Sequence, residues 1–168
     1  MRHLLVIFCL LTTTLTLFSM DYPPKESIKI DDTWSIAEGE HNGHPLVMRF
    51  RSKLTSLAGH PSYPKRLEIT WSFRSFGENR MPSSAESEAM KVFENRLVPA
   101  VERDNLAILT TVVTNDGERI WYFYVSDVPE FGKRLTNMPQ EEERYPIALS
   151  ATADPNWDFY LDILKNNK

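Results

Sequence analysis

The segment SSAESEAMKVFENRLVPAVERD, residues 83–104, is the one long helical pattern in an otherwise strand-rich chain. Its apolar residues recur at spacings of three, four and four, which places them on one face of a helix. These residues are Met90, Phe93, Leu97 and Val101. Ser83 and Glu86 have the spacing of a capping box, which marks a helix start. We therefore predict an amphipathic helix that packs its apolar face against a sheet.

Two residues inside this segment need separate explanations. Pro99 lacks an N–H and its ring opposes the carbonyl of Asn95, so we predict a kink or break there and a short second segment beyond it. Glu94 falls beside Met90 and Val101, at the border of the apolar face. Burying an unpaired carboxylate costs several kcal/mol, so Glu94 must either reach solvent or find a cationic partner.

The N-terminus has the pattern of a secretory signal peptide. Arg2 supplies positive charge, residues 4–18 are almost entirely apolar or threonine, and polar residues and prolines follow. The apolar run is shorter than the ~20 residues that a membrane-spanning helix needs. We predict a signal peptide over 1–20, a flexible arm over 21–30 and one domain over 31–168, located in the periplasm or secreted. An uncleaved N-terminal anchor is the alternative.

The composition of the chain argues against disulfides, thiolate metal sites and nucleic-acid partners. The single cysteine, Cys9, lies in the apolar run, so the mature domain is predicted to have no disulfide and no thiolate metal site. An exported domain without cysteines is typical of a bacterial envelope protein. The formal net charge is −4, which disfavours nucleic acid because phosphate contacts supply most non-specific affinity. We predict no cofactor, no nucleic-acid partner and no stable membrane span after signal cleavage; the expected partner is an envelope protein or a small ligand.

Alternating apolar and polar residues predict six strands. They cover residues 33–38, 46–51, 66–74, 106–114, 119–125 and 147–151. Asn42-Gly43 predicts a tight hairpin turn between the first two strands. Further helices are predicted over 128–138 and 154–164, the second with Asp154 as N-cap and Pro155 as first helical residue.

The order of these elements predicts the fold class. From residue 66 onward it is strand, helix, strand, strand, helix, strand, which is the split βαβ pattern of ferredoxin-like folds. The prediction is an α+β domain with a ferredoxin-like β-α-β-β-α-β core, preceded by an N-terminal β-hairpin and followed by a C-terminal helix. In that core we expect the strands at 66–74 and 118–126 to be central neighbours, with the long helix across one face of the sheet.

A set of short motifs is similar in order and spacing to one known family. The motifs are Trp34, Gly43-x-Pro45, Arg49, Tyr63-Pro64, Leu67-x-Ile69, Phe93-Glu94-x-x-Leu97, Gly117-x-Arg119-x-Trp121, Tyr124, Asp154-Pro155-x-Trp157 and Tyr160. Over residues 34–164 the chain resembles the bacterial domain-of-unknown-function family 695, which has no established activity. The resemblance also implies that some members of the family are associated with a domain similar to the ribonuclease E inhibitor family, itself ferredoxin-like.

Catalytic and metal motifs are weak. His41, His44 and His60 are spaced in a way that favours solvent-exposed histidines over a metal site. The chain has no glycine-rich phosphate loop and no histidine paired with a nucleophile signature. Glu38 and Glu40 share one face of an edge hairpin, where solvated charges discourage strand addition.

The aromatic strand RIWYFYV, residues 119–125, suggests a binding surface. Trp121 and Phe123 alternate with Tyr122 and Tyr124, so one pair faces the helix and the other faces outward. Tyrosines suit a half-wet surface because the ring can be buried while the hydroxyl stays hydrated. The alternative is that the hairpin, the arm or the terminal helix covers this face as a second core. The candidate ligand- or partner-binding residues are Trp34, Arg49, Glu94, Arg119, Tyr122 and Tyr124.

These observations favour an exported, non-enzymatic module that binds a protein or a small ligand, with an inhibitor or immunity-type protein as one form. The first alternative is an envelope hydrolase that uses Glu94 with a nearby arginine or histidine. The second is a regulator of RNA turnover, which requires that the N-terminal segment is not a signal peptide.

Overall fold

The computed structural model describes residues 22–74, 79–141 and 144–167. The predicted signal peptide, including Cys9, lies outside the described residues. The described chain is an α+β domain in which three α-helices accompany a six-stranded antiparallel sheet. The strands are β1 (Trp34–His41), β2 (His44–Arg51), β3 (Lys65–Ser72), β4 (Ala107–Asn115), β5 (Glu118–Val125) and β6 (Ile147–Ala153). The helices are α1 (Ser84–Glu102), α2 (Val128–Asn137) and α3 (Asp158–Asn166).

The strands lie in the order β1-β2-β4-β5-β3-β6, and each neighbouring pair is antiparallel. The six predicted strands are confirmed, and so is the pairing of β3 with β5. Helix α1 connects β3 to β4, and α2 connects β5 to β6. Among the described residues no helix is long and apolar enough to span a membrane.

Two tight turns close the hairpins as the sequence indicates. Asn42 and Gly43 have φ angles of 53° and 78°, and Asp116 and Gly117 have φ angles of 46° and 87°. Two consecutive residues with positive φ give a turn whose twist matches that of the flanking strands. The Asn42-Gly43 hairpin prediction is therefore confirmed.

The two faces of the sheet carry separate cores. We call the face covered by α1 and α2 the helix face; Leu67, Ile69, Trp121 and Phe123 lie on it and pack with the apolar side of α1. We call the other side the opposite face. There α3 and the segment before β3 build a second, smaller cluster, which contains Leu54, Tyr63, Ile108, Tyr124, Trp157 and Tyr160.

A β-bulge in β4 decides which side chains reach the helix face. Leu109 pairs with Phe123 and Thr111 pairs with Tyr122, so Thr110 is the extra residue. Its hydroxyl donates to the carbonyl of Tyr122 at 3.2 Å. Because a bulge shifts the alternation by one residue, Leu109 and Val112 both pack into the helix-face core.

Two local predictions, the break at Pro99 and the start of the terminal helix, are corrected. Helix α1 continues through Pro99 to Glu102, because the buried Leu97 and Val101 hold its last turns against the sheet. Helix α3 begins at Asp158 rather than at Pro155, since Trp157 has φ 61° and ends the preceding turn. Asp154 still caps it, accepting from the backbone N–H of Asp158 at 2.8 Å.

The segment over residues 22–30, predicted as part of a flexible arm, is packed against the domain. The Tyr22 hydroxyl donates to the carbonyl of Ala58 at 2.9 Å. The Asn105 amide donates to the carbonyls of Lys25 and Ile28, at 2.8 and 3.1 Å. Ile28 is buried in the second core, so apolar burial as well as hydrogen bonding holds this segment in place.

Candidate functional site

A cleft runs beside α1 on the helix face, between the helix and the β1–β2 hairpin. It contains a cavity of about 330 Å³. The walls come from four elements: Ile36, Val47 and Arg49 of the hairpin, Ser87, Lys91 and Glu94 of α1, and Val112, Thr114 and Arg119 of β4 and β5. A second cavity of about 490 Å³ adjoins it and shares Arg49 and Glu94. We call the first cavity the helix-side cleft.

Glu94 finds the cationic partner that its position requires. An Arg49 Nη donates to Glu94 Oε2, and the indole N–H of Trp121 donates to the same oxygen at 2.7 Å. The Glu94 side chain is only 18% exposed. The two donors fix the position of this carboxylate oxygen. Of the two outcomes that the sequence left open, pairing is the one observed.

Arg119 lines the same cleft. Its Nε donates to Thr114 Oγ1 at 2.9 Å, a contact that depends on the β4 bulge to bring Thr114 to the helix face. Within the residues that the structure describes, neither Nη nitrogen of Arg119 has a hydrogen-bond acceptor. Burial lowers the pKa of Arg119, Glu94 opposes that shift, and the like charge of Arg49 adds to it. The guanidinium is therefore half-buried without a full set of partners.

Trp34 lines the second cavity, and its ring lies close to two arginines. The guanidinium carbons of Arg49 and Arg51 lie 4.8 and 5.1 Å from the centre of its ring. Its indole N–H donates to Asp32 Oδ1 at 2.8 Å, and this bond is the main cause of the lowered pKa of Asp32. Trp34, Arg49, Glu94 and Arg119 thus lie close together, as a group of four predicted site residues.

A buried ion pair at the far end of the second cavity was missed by the sequence reasoning. The Arg51 side chain is 6% exposed and donates to Glu102 at 2.5 Å, to Asp32 at 3.0 Å and to the carbonyl of Leu109 at 3.0 Å. The available signal was spacing, since Arg49 and Arg51 are two residues apart in a strand and so share a face. The full set of acceptors makes Arg51 a structural residue.

Tyr122 and Tyr124 lie on the opposite face and do not join this group. Tyr124 is fully buried, stacks on Trp157 with ring centres 4.0 Å apart, and donates to Asp154 Oδ2 at 2.5 Å. Tyr122 is half-buried, with its ring centre 4.4 Å from that of Phe159. A single binding face uniting the tyrosines with Trp34, Arg49 and Arg119 is therefore not formed. The terminal helix covers the tyrosines instead, as the alternative anticipated.

His60 lies apart from His41 and His44, which are cross-strand partners at the end of the β1–β2 hairpin. His60, predicted to be exposed, is 3% exposed; its Nδ1 accepts from the N–H of Ser62 and its Nε2 bonds to the carbonyl of Pro23 at 2.9 Å. Packing of the N-terminal segment onto the domain causes this burial. In the described part of the chain, no group of three or more histidine, cysteine, aspartate or glutamate residues could hold a metal ion.

A comparison with known protein families gives a match over most of the chain. The family described as "Family of unknown function (DUF695)" matches residues 32–165. The chain belongs to the DUF695 family. No curated protein and no solved structure matches it. In this DUF695 chain the match begins two residues before β1 and ends inside α3, so it includes every residue of the helix-side cleft.

Proposed function

We propose that this DUF695 chain is a non-enzymatic binding module whose ligand site is the helix-side cleft. The observation that carries the proposal is the half-buried guanidinium of Arg119, whose two Nη nitrogens lack acceptors in the described residues while the side chain lines the cavity. N–H donors that face a cavity and have no protein acceptor are available to a ligand that brings its own acceptors.

The alternative role for the cleft is hydrolysis at Glu94, and the contacts of Glu94 favour it less. A guanidinium and an indole N–H already donate to the same carboxylate oxygen. These contacts occupy one carboxylate oxygen and tie the side chain to the scaffold, which suits a positioning group better than a catalytic one. The contacts support the binding role for the cleft as a whole.

The proposal also includes the type of fold and the cellular location of the chain. We infer a ferredoxin-like split βαβ core in β3-α1-β4-β5-α2-β6, supported by the order β4-β5-β3-β6 and by the antiparallel pairing throughout. Export to the periplasm is supported by the charged, then apolar N-terminal sequence. An inhibitor or immunity-type protein of the cell envelope is one form that such a module takes.

Fragment screening by amide NMR on the full chain tests this proposal. A mixed library of neutral, anionic and cationic fragments is added, and the perturbed resonances are assigned to one face of the sheet. We expect the shifts to cluster at the Trp121 indole N–H, the Arg119 Nε–H and the Val112 amide. Shifts centred on Tyr122, or steady chemical conversion of a fragment, would contradict a non-enzymatic site in the helix-side cleft.

A further inference from the structure

The charges around the helix-side cleft do not balance. The guanidinium groups of Arg49 and Arg119 face the single carboxylate of Glu94. Lys91 at the rim is exposed and already pairs with Glu88 at 3.4 Å. One half-buried positive charge is therefore left over beside the cavity. An anion that enters the cleft gains a favourable interaction that a neutral ligand does not.

The donors that remain are arranged for a two-oxygen acceptor. The Nε of Arg119 donates to Thr114 Oγ1. This hydrogen bond fixes the plane of the guanidinium and leaves its two Nη nitrogens as the available donors. Parallel N–H donors on a planar group match the two oxygens of a carboxylate. The geometry points to bidentate recognition rather than to attraction by a diffuse charge.

The remaining walls are mostly apolar. Ile36, Val47 and Val112 line the cavity, and Ile36 is 71% exposed at its mouth. A volume of about 330 Å³ is at the small end of the range for ligand pockets, roughly 300 to 1,000 Å³. The space fits a small molecule with a compact hydrocarbon part.

We propose that the helix-side cleft binds a monoanionic carboxylate carried on a small apolar body. The carboxylate oxygens accept from both Nη nitrogens of Arg119, and the apolar part lies against Ile36, Val47 and Val112. This rests on the proposed function, because it names the ligand class of that same site. A monoanion neutralises the one surplus charge, whereas a dianionic phosphoryl group would leave a negative charge beside Glu94.

The test compares three probes of similar shape on the full chain: benzoate, benzamide and phenyl phosphate. Each is titrated while the Arg119 Nε–H and Trp121 indole resonances are followed. We expect benzoate to bind about 10- to 100-fold more tightly than neutral benzamide, the range for charge-assisted hydrogen bonds. We also expect benzoate to bind more tightly than phenyl phosphate.

Matched variants distinguish the bidentate hydrogen bonding by the two Nη nitrogens of Arg119 (the fork) from the effect of its positive charge. Arg119→Gln should weaken benzoate binding by about 10- to 100-fold, and Arg119→Lys, which keeps the charge and loses the fork, should weaken it by about tenfold. Arg96→Gln is the control, because Arg96 lies outside the cleft and contacts Tyr145 and Glu141. Unchanged amide resonances of Tyr124 and Tyr160, which lie in the second core away from the cleft, show that the fold of each unliganded variant is intact.

The outcomes distinguish this inference from the proposed function. Equal affinity for benzoate and benzamide in the cleft would overturn the carboxylate assignment and leave a binding module. Tighter binding of phenyl phosphate would overturn the choice of a monoanion. Full benzoate affinity in Arg119→Gln would remove Arg119 as the recognition group. Failure of all three probes to perturb the cleft would overturn both proposals.

Discussion

Arg49 on β2 and Glu94 on α1 form an ion pair across the cleft, and the same carboxylate accepts from Trp121 on β5. The pair joins the N-terminal hairpin to the long helix. It also separates the two cavities, since both residues line each of them. The width of the helix-side cleft therefore depends on this contact.

We predict that Glu94→Gln lowers the free energy of unfolding by about 1 to 3 kcal/mol, the cost of leaving a partly buried charge without its partner. Denaturant unfolding measures this change. The same substitution should tighten benzoate binding, because it removes the negative charge beside Arg119. A double-mutant cycle with Arg49→Gln gives the pairwise coupling, and a coupling near zero would show that the pair does not hold the cleft.

We predict that Arg119→Met leaves the stability unchanged or raises it by up to about 1 kcal/mol, because a half-buried charge without an ion pair is replaced by an apolar chain. Arg51→Met is the contrasting variant. It should cost about 3 kcal/mol or more, since it strands Glu102 in the interior. Thermal unfolding of both variants measures the difference. Equal destabilisation would mean that Arg119 is a structural residue like Arg51.

We predict that Tyr124→Phe destabilises the domain by about 1.5 to 3 kcal/mol, because its hydroxyl donates to the buried carboxylate of Asp154. Tyr122→Phe should change stability by less than about 0.5 kcal/mol, since its hydroxyl makes no hydrogen bond within the described residues. Neither change should alter benzoate affinity. Loss of benzoate binding in either variant would indicate that the binding site lies on the opposite face of the sheet.

Alkaline pH should unfold the domain through its buried tyrosines. Burial raises the pKa of Tyr122 to about 12 and also raises the pKa of Tyr63, Tyr124 and Tyr160. A raised pKa favours the neutral phenol in the fold, so this stability is present below about pH 10 and is lost as the pH rises toward 12. Tyrosinate absorbance and circular dichroism, followed together, should show late ionisation that coincides with unfolding. Early ionisation with the fold intact would contradict this.

The sequence predicted most of the fold because its strongest signals are local. Alternation marked the strands, Asn42-Gly43 marked a hairpin turn, and the spacing of Met90 to Val101 marked α1 and its buried face. The errors occurred where tertiary packing overrides a local preference. Pro99 lies inside helix α1, which is held in place by its buried apolar residues. Trp157 has a left-handed backbone conformation that no local sequence motif predicts.

The site was predictable only in part. The position of Glu94 required a cationic partner, but sequence alone gave no means of choosing Arg49 over Arg119, because that choice depends on how the hairpin packs against α1. The two faces of β5 are both aromatic, so the pattern could not show that α3 covers Tyr124. The bulge at Thr110, which brings Thr114 to Arg119, has no signal in the alternation.

A crystal structure of the full chain with benzoate, at a concentration that saturates the NMR titration, tests the central claim most directly. We expect one benzoate in the helix-side cleft, with both carboxylate oxygens on the Nη nitrogens of Arg119 and the ring against Val47 and Val112. Benzoate bound on the opposite face near Tyr122, with only water at Arg119, would contradict it.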